Sequence, residues 1–177
     1  MSALKSFAKL QKKESPDEFG RNALSARTYF LSIGSNISPG ENIPACLATL
    51  KKRYVVTRVS SIYETPPFGP CGKTNFWNLA IKFECALAHE ELQRELSGIE
   101  NLHGREPERI DKFAPRTIDL DLLPKTGYQK LAFVMVPLAE IAPEEKDPES
   151  GETFAELAKK LARQAEGFKK ISVGWAG

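Results

Sequence analysis

Phe76-Trp77-Asn78-Leu79-Ala80-Ile81-Lys82-Phe83 alternates with a period of two. Trp77, Leu79, Ile81 and Phe83 point one way; Phe76, Asn78, Ala80 and Lys82 point the other. That pattern predicts a strand with one apolar face and one mixed face. Upstream, Tyr54 to Tyr63 is rich in β-branched residues and predicts another strand. The first strand, Tyr29 to Ile33, ends in the turn signal Gly34-Ser35-Asn36. Between these two strands Ile43, Cys46, Leu47 and Leu50 sit at i, i+3, i+4 and i+7, predicting a helix over Ile43 to Leu50 with Pro44 in its first turn. The loop from Glu64 to Asn75 carries Pro66, Pro67, Gly69, Pro70 and Gly72, so proline rather than a hydrogen-bond ladder orders it.

Downstream, Leu92, Leu96, Ile99 and Leu102 mark a helix from about Glu90 to His103, with Gly104 as its stop. A charged loop, Arg105 to Lys112, leads to a strand over Thr117 to Leu123. A tight hairpin at Gly127 to Lys130 and a short strand at Phe133 to Val136 are expected next. Glu144 to Glu152 reads as an acidic loop, and the last helix as Phe154 to Gln164. The order β-α-β-β-α-β is that of an α+β ferredoxin-like sandwich, an antiparallel sheet with helices packed on one face. The other face is then free to build a site.

The 177 residues suffice for one domain with a sizeable core, assigned to 28–177. Residues 1–27 contain no signal-peptide core and carry Glu14, Asp17 and Glu18, which argues against an organellar transit peptide and for a solvated extension. A net charge of +2 gives no broad basic field for nucleic acid. No apolar run approaches the roughly 20 residues that cross a bilayer, so no membrane partner is expected. The three cysteines, Cys46, Cys71 and Cys85, form no C-x-x-C pair and suit free thiols in the cytoplasm. His89 and His103 have no metal-ligand spacing with them. Gly72-Lys73-Thr74 resembles the end of a P-loop, but Pro67 stands where the first glycine belongs and a strand follows.

Pro115-Arg116-Thr117-Ile118-Asp119-Leu120-Asp121-Leu122-Leu123 carries the chemistry. Strand periodicity puts Ile118, Leu120 and Leu122 in the core and Thr117, Asp119 and Asp121 on the open face. Two carboxylates on one strand face repel unless a cation lies between them. Hard oxygen donors of this kind suit magnesium, which shares phosphate oxygens with a nucleotide. The plainer alternative is that both aspartates pair with neighbouring lysines or arginines.

This stretch resembles the signature of the 6-hydroxymethyl-7,8-dihydropterin pyrophosphokinase family. Gly34-Ser35-Asn36, the run from Ser60 to Pro70, Phe76-Trp77-Asn78 and the run from Pro137 to Pro143 resemble the same family in the same order. The resemblance spans about Tyr29 to Pro143 and implies a ferredoxin-like fold. It also implies transfer of pyrophosphate from ATP to the hydroxymethyl group of the pterin, giving AMP, in folate biosynthesis. Asp119 and Asp121 would then hold two magnesium ions, and Arg105 and Arg116 would meet the phosphates in catalysis. Glu100, Lys112, Phe113 and Leu122 would line ATP. Thr65, Pro66, Phe68, Phe76, Asn78 and Phe133 would hold the pterin, with the two phenylalanines on its faces and the Asn78 amide at its edge.

The chain departs from the family pattern in three places. Lys112, Phe113 and Ala114 stand where a basic residue, a tryptophan and a glycine are usual. The loop from Arg105 to Lys112 is one residue longer, with Pro107 at the position of a second arginine; Arg109 is the substitute. Only fifteen residues, Leu122 to Val136, separate Asp121 from Pro137, and no histidine follows His103. Lys125 or Lys130 then supplies the missing charge, and nucleotide binding is expected to be weaker than in a longer member. Two rival readings are a pterin-binding relative without catalysis, which would form no AMP, and an RNA-binding ferredoxin-like module. Asp119 and Asp121 on the open face would repel RNA phosphates in the absence of metal.

Overall fold

The computed structural model describes residues 26–67, 74–104 and 114–173. The expected N-terminal extension therefore lies almost wholly outside the described residues, as do the longer charged loop and the P-loop-like tripeptide's Gly72 and Lys73. In chain order the elements are β1 (Arg27–Ser35), α1 (Pro39–Arg53), β2 (Val55–Val59), β3 (Ile62–Thr65) and β4 (Phe76–Cys85). They continue with α2 (His89–Leu102), β5 (Asp119–Leu123), α3 (Ala132–Ile141), α4 (Phe154–Lys160) and β6 (Lys169–Ile171). The sheet runs β5-β1-β4-β3-β6, with β2 also on β4, and every pairing is antiparallel. This is the α+β ferredoxin-like order.

The alternation of β4 divides the molecule. Leu79, Ile81 and Phe83 join Leu31, Ile33, Leu120 and Leu122 under α1 and α2, whose Ile43, Leu50, Leu92, Leu96 and Ile99 complete the main core. Each such side chain stabilises the fold by about 1.5–3 kcal/mol on burial. Trp77 packs on the edge of that core. On the opposite face Ala80 and Leu123 pack under Val134, Met135 and Leu138 of α3 and Phe154 and Leu157 of α4. So α1 and α2 form the expected helical layer, and α3 with α4 adds a second that roofs one end of the other face.

Several boundaries differ from the sequence reading. The strand expected over Tyr54 to Tyr63 is two, β2 and β3: the Ser60 amide still donates to Ala80 O at 2.9 Å, but the Ala80 amide goes to Ser60 Oγ, which breaks the ladder there. The strand expected at Phe133 to Val136 is helical: 132–141 is apolar nearly throughout, and such a run fits a buried helix as well as a strand. Tyr128–Lys130 is a single 3-10 turn entered through Gly127 at φ 80°, not a hairpin. Helix α1 begins four residues earlier than expected, with Pro39 in its first turn; Pro44 therefore lies in its interior and leaves the exposed Gly40 carbonyl without a helical donor. Helix α4 stops at Lys160, short of Gln164, and opens on a capping box between Thr153 and Glu156. Nor is the acidic loop wholly solvated. Asp147 is fully buried and accepts from the Tyr128 hydroxyl at 2.6 Å and the Ser150 amide at 2.6 Å. Burial alone would raise its pKa, but these bonds hold it below the ordinary value.

Candidate active site

The end of the sheet that α3 and α4 leave open brings β5, β1, β4 and β3 into register. Asp119 lies opposite Gly34, Gly34 opposite Asn78, and Asn78 opposite Tyr63. Asp121 lies opposite Ser32, two residues along on the same face. Gly34 has no side chain where the others meet. A Cβ placed there would stand 3.1 Å from Asn78 Oδ1, 3.9 Å from Asp119 Cβ and 3.9 Å from Phe76 Cδ1. The bare backbone at Gly34 is thus a floor enclosed by a carboxylate, an amide and an aromatic ring.

Asn78 is buried, and its Nδ2 donates to the buried Thr65 Oγ1 at 2.8 Å. Phe76, opposite Thr65, is half-buried. The bond to Thr65 fixes the amide and leaves Oδ1 beside Gly34. An amide held in this way suits the planar, amide-like edge of a heterocycle, and Phe76 offers a face for stacking.

Each carboxylate of β5 has a basic neighbour. Arg116 pairs with Asp119 and Lys125 with Asp121. The plainer alternative weighed from the sequence is therefore present, but the pairs are open to solvent, and both aspartates face the side that carries Asn78. Burial works against the charge of Arg116, yet Asp119, and then Asp121 and Glu100, outweigh it and raise its pKa. A guanidinium answering three carboxylates is permanently charged. Two hard oxygen donors with compensating cations beside them fit magnesium, which keeps waters and phosphate oxygens in its remaining positions.

Two further contacts build this corner. Glu100, on α2, is buried, and its Oε1 accepts from the Leu120 amide at 2.8 Å. Since among the described residues β5 pairs with β1 alone, Leu120 N–H is an edge donor that no described strand meets. Glu100, expected from the sequence to line ATP, is thus buried and anchors the strand between the two aspartates. Glu100→Ala leaves that amide unpaired and should cost about 1–3 kcal/mol, read by chemical denaturation, whereas Glu100→Gln keeps an acceptor and most of the stability. The second contact is the grip on Arg116 and Thr117 by Ser35, which the structure places in β1 rather than in the expected turn, and by Asn36 just beyond it. Ser35 Oγ donates to Thr117 O at 2.6 Å, and Asn36 Oδ1 accepts from Arg116 N at 2.7 Å. The sequence marked these residues as a turn and gave them no role in the site; only long-range pairing reveals one.

Of the expected site residues, Asp119, Asp121, Arg116, Asn78, Thr65 and Phe76 gather at this end of the sheet. Pro66 is exposed at the start of the proline loop. Phe133 lies in the first turn of α3, half-buried against the second core, so a helix rather than a strand presents it. Leu122 has its side chain in the main core, as the strand periodicity predicts, so its backbone is what it offers a nucleotide. Arg105, Lys112, Phe113 and Phe68 lie outside the described residues. Beyond Asn78 in the same row, Tyr63 donates to Glu140 of α3 at 2.9 Å, and burial with this bond pushes its pKa up to about 12. Ser61 and Lys170 also bond Glu140, tying α3 to β6 and the β2–β3 junction.

Comparison with known proteins gives the family. The family described as 7,8-dihydro-6-hydroxymethylpterin-pyrophosphokinase (HPPK) matches residues 30–143. The 2-amino-4-hydroxy-6-hydroxymethyldihydropteridine pyrophosphokinase of Synechocystis sp. is 34% identical over 164 residues, covering 83% of this chain and 81% of that protein. The enzyme of the same name from Bacillus subtilis is 34% identical over 145 residues, 72% of this chain and 86% of that one. Among solved structures, wild-type HPPK-DHPS of Plasmodium falciparum with pteroate superposes with a TM-score of 0.66 at 14% identity, over 84% of this chain. The chain spans 46% of that longer protein, and the likeness is one of fold.

Proposed function

Because this chain belongs to the 7,8-dihydro-6-hydroxymethylpterin-pyrophosphokinase family, we propose that it transfers pyrophosphate from ATP to the hydroxymethyl group of 6-hydroxymethyl-7,8-dihydropterin, a step of folate biosynthesis. The observation that carries the reading is the meeting of Asp119, Asn78 and Phe76 around the bare backbone of Gly34. It sets a cation-binding carboxylate beside an amide and a ring suited to a pterin. The pterin hydroxyl oxygen bonds to the β-phosphorus as the bond from that phosphorus to the α,β-bridging oxygen breaks. AMP leaves, and the hydroxyl proton passes to water.

Asp119 and Asp121 would hold two magnesium ions. When bound, magnesium neutralises the triphosphate and the charge that develops on transfer. The protein's part is positioning. Arg116, kept charged by its carboxylate neighbours, offers phosphate a planar pair of donors. Thr65 fixes Asn78 for the pterin edge, Phe76 and Phe133 supply ring faces, and the loop with Pro66 and Phe68 forms the wall. Arg105, Glu100, Lys112 and Phe113 complete the nucleotide side, with Glu100 acting through the Leu120 backbone. Lys125, at Asp121, supplies charge in place of the shortened segment. With fewer basic groups available there, calorimetry with magnesium and a non-hydrolysable ATP analogue should give weaker affinity than in a relative with the longer segment; equal affinity would refute this.

The substrates are small molecules, and the reading assigns the enzyme to the cytoplasm with neither nucleic acid nor membrane as partner. No helix among the described residues is long and apolar enough to cross a membrane. The test is direct: incubation with hydroxymethyldihydropterin, ATP and magnesium should yield AMP and the pterin diphosphate. Pterin binding without AMP would leave only a non-catalytic relative.

A further inference from the structure

Ladder pairing of β5 begins at Asp119, opposite Gly34. Arg116 lies three residues before it, outside any strand, so the sheet does not set its backbone. Asn36 does. Its side-chain Oδ1 accepts from Arg116 N at 2.7 Å, and its own amide donates to Arg116 O at 3.1 Å. One residue thus holds the peptide groups on both sides of Arg116. Ile37 N adds a second donor to the same carbonyl at 3.2 Å, and Ser35 Oγ takes Thr117 O. Asn36 is 5% exposed, and its buried Nδ2 has no hydrogen-bond partner among the described residues. The grip of the side chain is therefore carried by Oδ1 alone.

We propose that Asn36 is a positioning residue for the nucleotide half of the site, acting through the backbone of Arg116; this rests on the function proposed above. The guanidinium sits at the end of a long side chain and answers Asp119, Asp121 and Glu100 together. A small rotation at its Cα moves the charge by about 1 Å, a displacement that can cost roughly 10²-fold in rate. The pterin half, Asn78 with Thr65, takes no hydrogen bond from Asn36, so a defect at Asn36 falls on one substrate.

Asn36→Ala removes the acceptor and should raise KM for ATP at least about tenfold and lower kcat, with KM for the pterin changed less than about twofold. Asn36→Asp keeps an oxygen at the Oδ1 position and gives up no bond to the described residues, since Nδ2 has no partner among them; it should restore the ATP dependence to within about threefold of the wild type. A purely architectural role would lower the melting temperature and weaken both substrates together. Unchanged KM for ATP, or a parallel rise in both constants, would overturn the proposal. Where Asn36→Ala fails to fold, Asn36→Ser, whose shorter side chain brings no oxygen to the Oδ1 position, must show the same ATP-selective loss or the proposal fails, whereas Ser35→Ala, which keeps both Asn36 bonds, should leave KM for ATP within about threefold of the wild type. Titration of each variant with magnesium and a non-hydrolysable ATP analogue, without pterin, reads the effect apart from turnover. A wild type that binds nucleotide but yields no AMP would count against the function, whereas an active wild type with an indifferent Asn36→Ala counts against this inference alone.

Discussion

Asp119→Ala and Asp121→Ala should each cut AMP formation by at least about 10³-fold, the scale on which one group that manages transition-state charge acts in phosphoryl transfer. Stability should hardly change. The two carboxylate side chains are 21% and 33% exposed, and their partners Arg116 and Lys125 are 25% and 58% exposed, so water reaches both pairs. Ion pairs in such settings contribute about 0–1 kcal/mol. The register of β5 is set instead by its ladder with β1 and by Glu100 on the Leu120 amide. The Asp→Asn pair separates two accounts of these residues. If Asp119 serves to bond Arg116, asparagine retains an acceptor and much of the activity. If its charge gathers cations for the triphosphate, asparagine is as inactive as alanine. AMP production, followed alongside thermal melts of each variant, decides between them, and full activity in either alanine variant would remove the metal assignment.

The β4 alternation was legible because one face is fully committed to core: Leu79, Ile81 and Phe83 have almost no exposure, so a one-residue slip would be costly. The same periodicity put Asp119 and Asp121 on one face and made the carboxylate pair visible in the sequence. What escaped the sequence is of a different kind. A nearly uniformly apolar run such as 132–141 has no period from which to tell strand from helix, and the helix buries it by packing on both β4 and α4. The contacts of Glu100 and Asn36 escaped because they are bonds to backbone atoms 20 and 80 residues away, although Glu100 itself was named for the nucleotide. No local pattern encodes such bonds. Nothing in the residues of β6 announced that Lys169–Ile171 would pair with β3.

Gly34→Val should lower kcat/KM for the pterin by about 10²-fold or more, although valine is a better strand former than glycine. Gly34 has no positive φ, so the position does not need glycine for its backbone conformation. It needs the space. An added Cβ would lie 3.1 Å from Asn78 Oδ1, and the buried Asn78 cannot withdraw without loosening its 2.8 Å bond to Thr65. The two γ-methyls would then fill the gap between Asp119 and Phe76, where the heterocycle and the phosphates are to meet. Crowding of this sort also costs about 1–3 kcal/mol of stability, so kinetics belong at a temperature where circular dichroism shows the variant folded. Gly34→Ala should follow in the same direction with a smaller loss. A folded Gly34→Val enzyme that turns over pterin like the wild type would mean that this stretch of β1 is not the floor of the site, and the assignment of Asn78 and Phe76 to the pterin would fall with it.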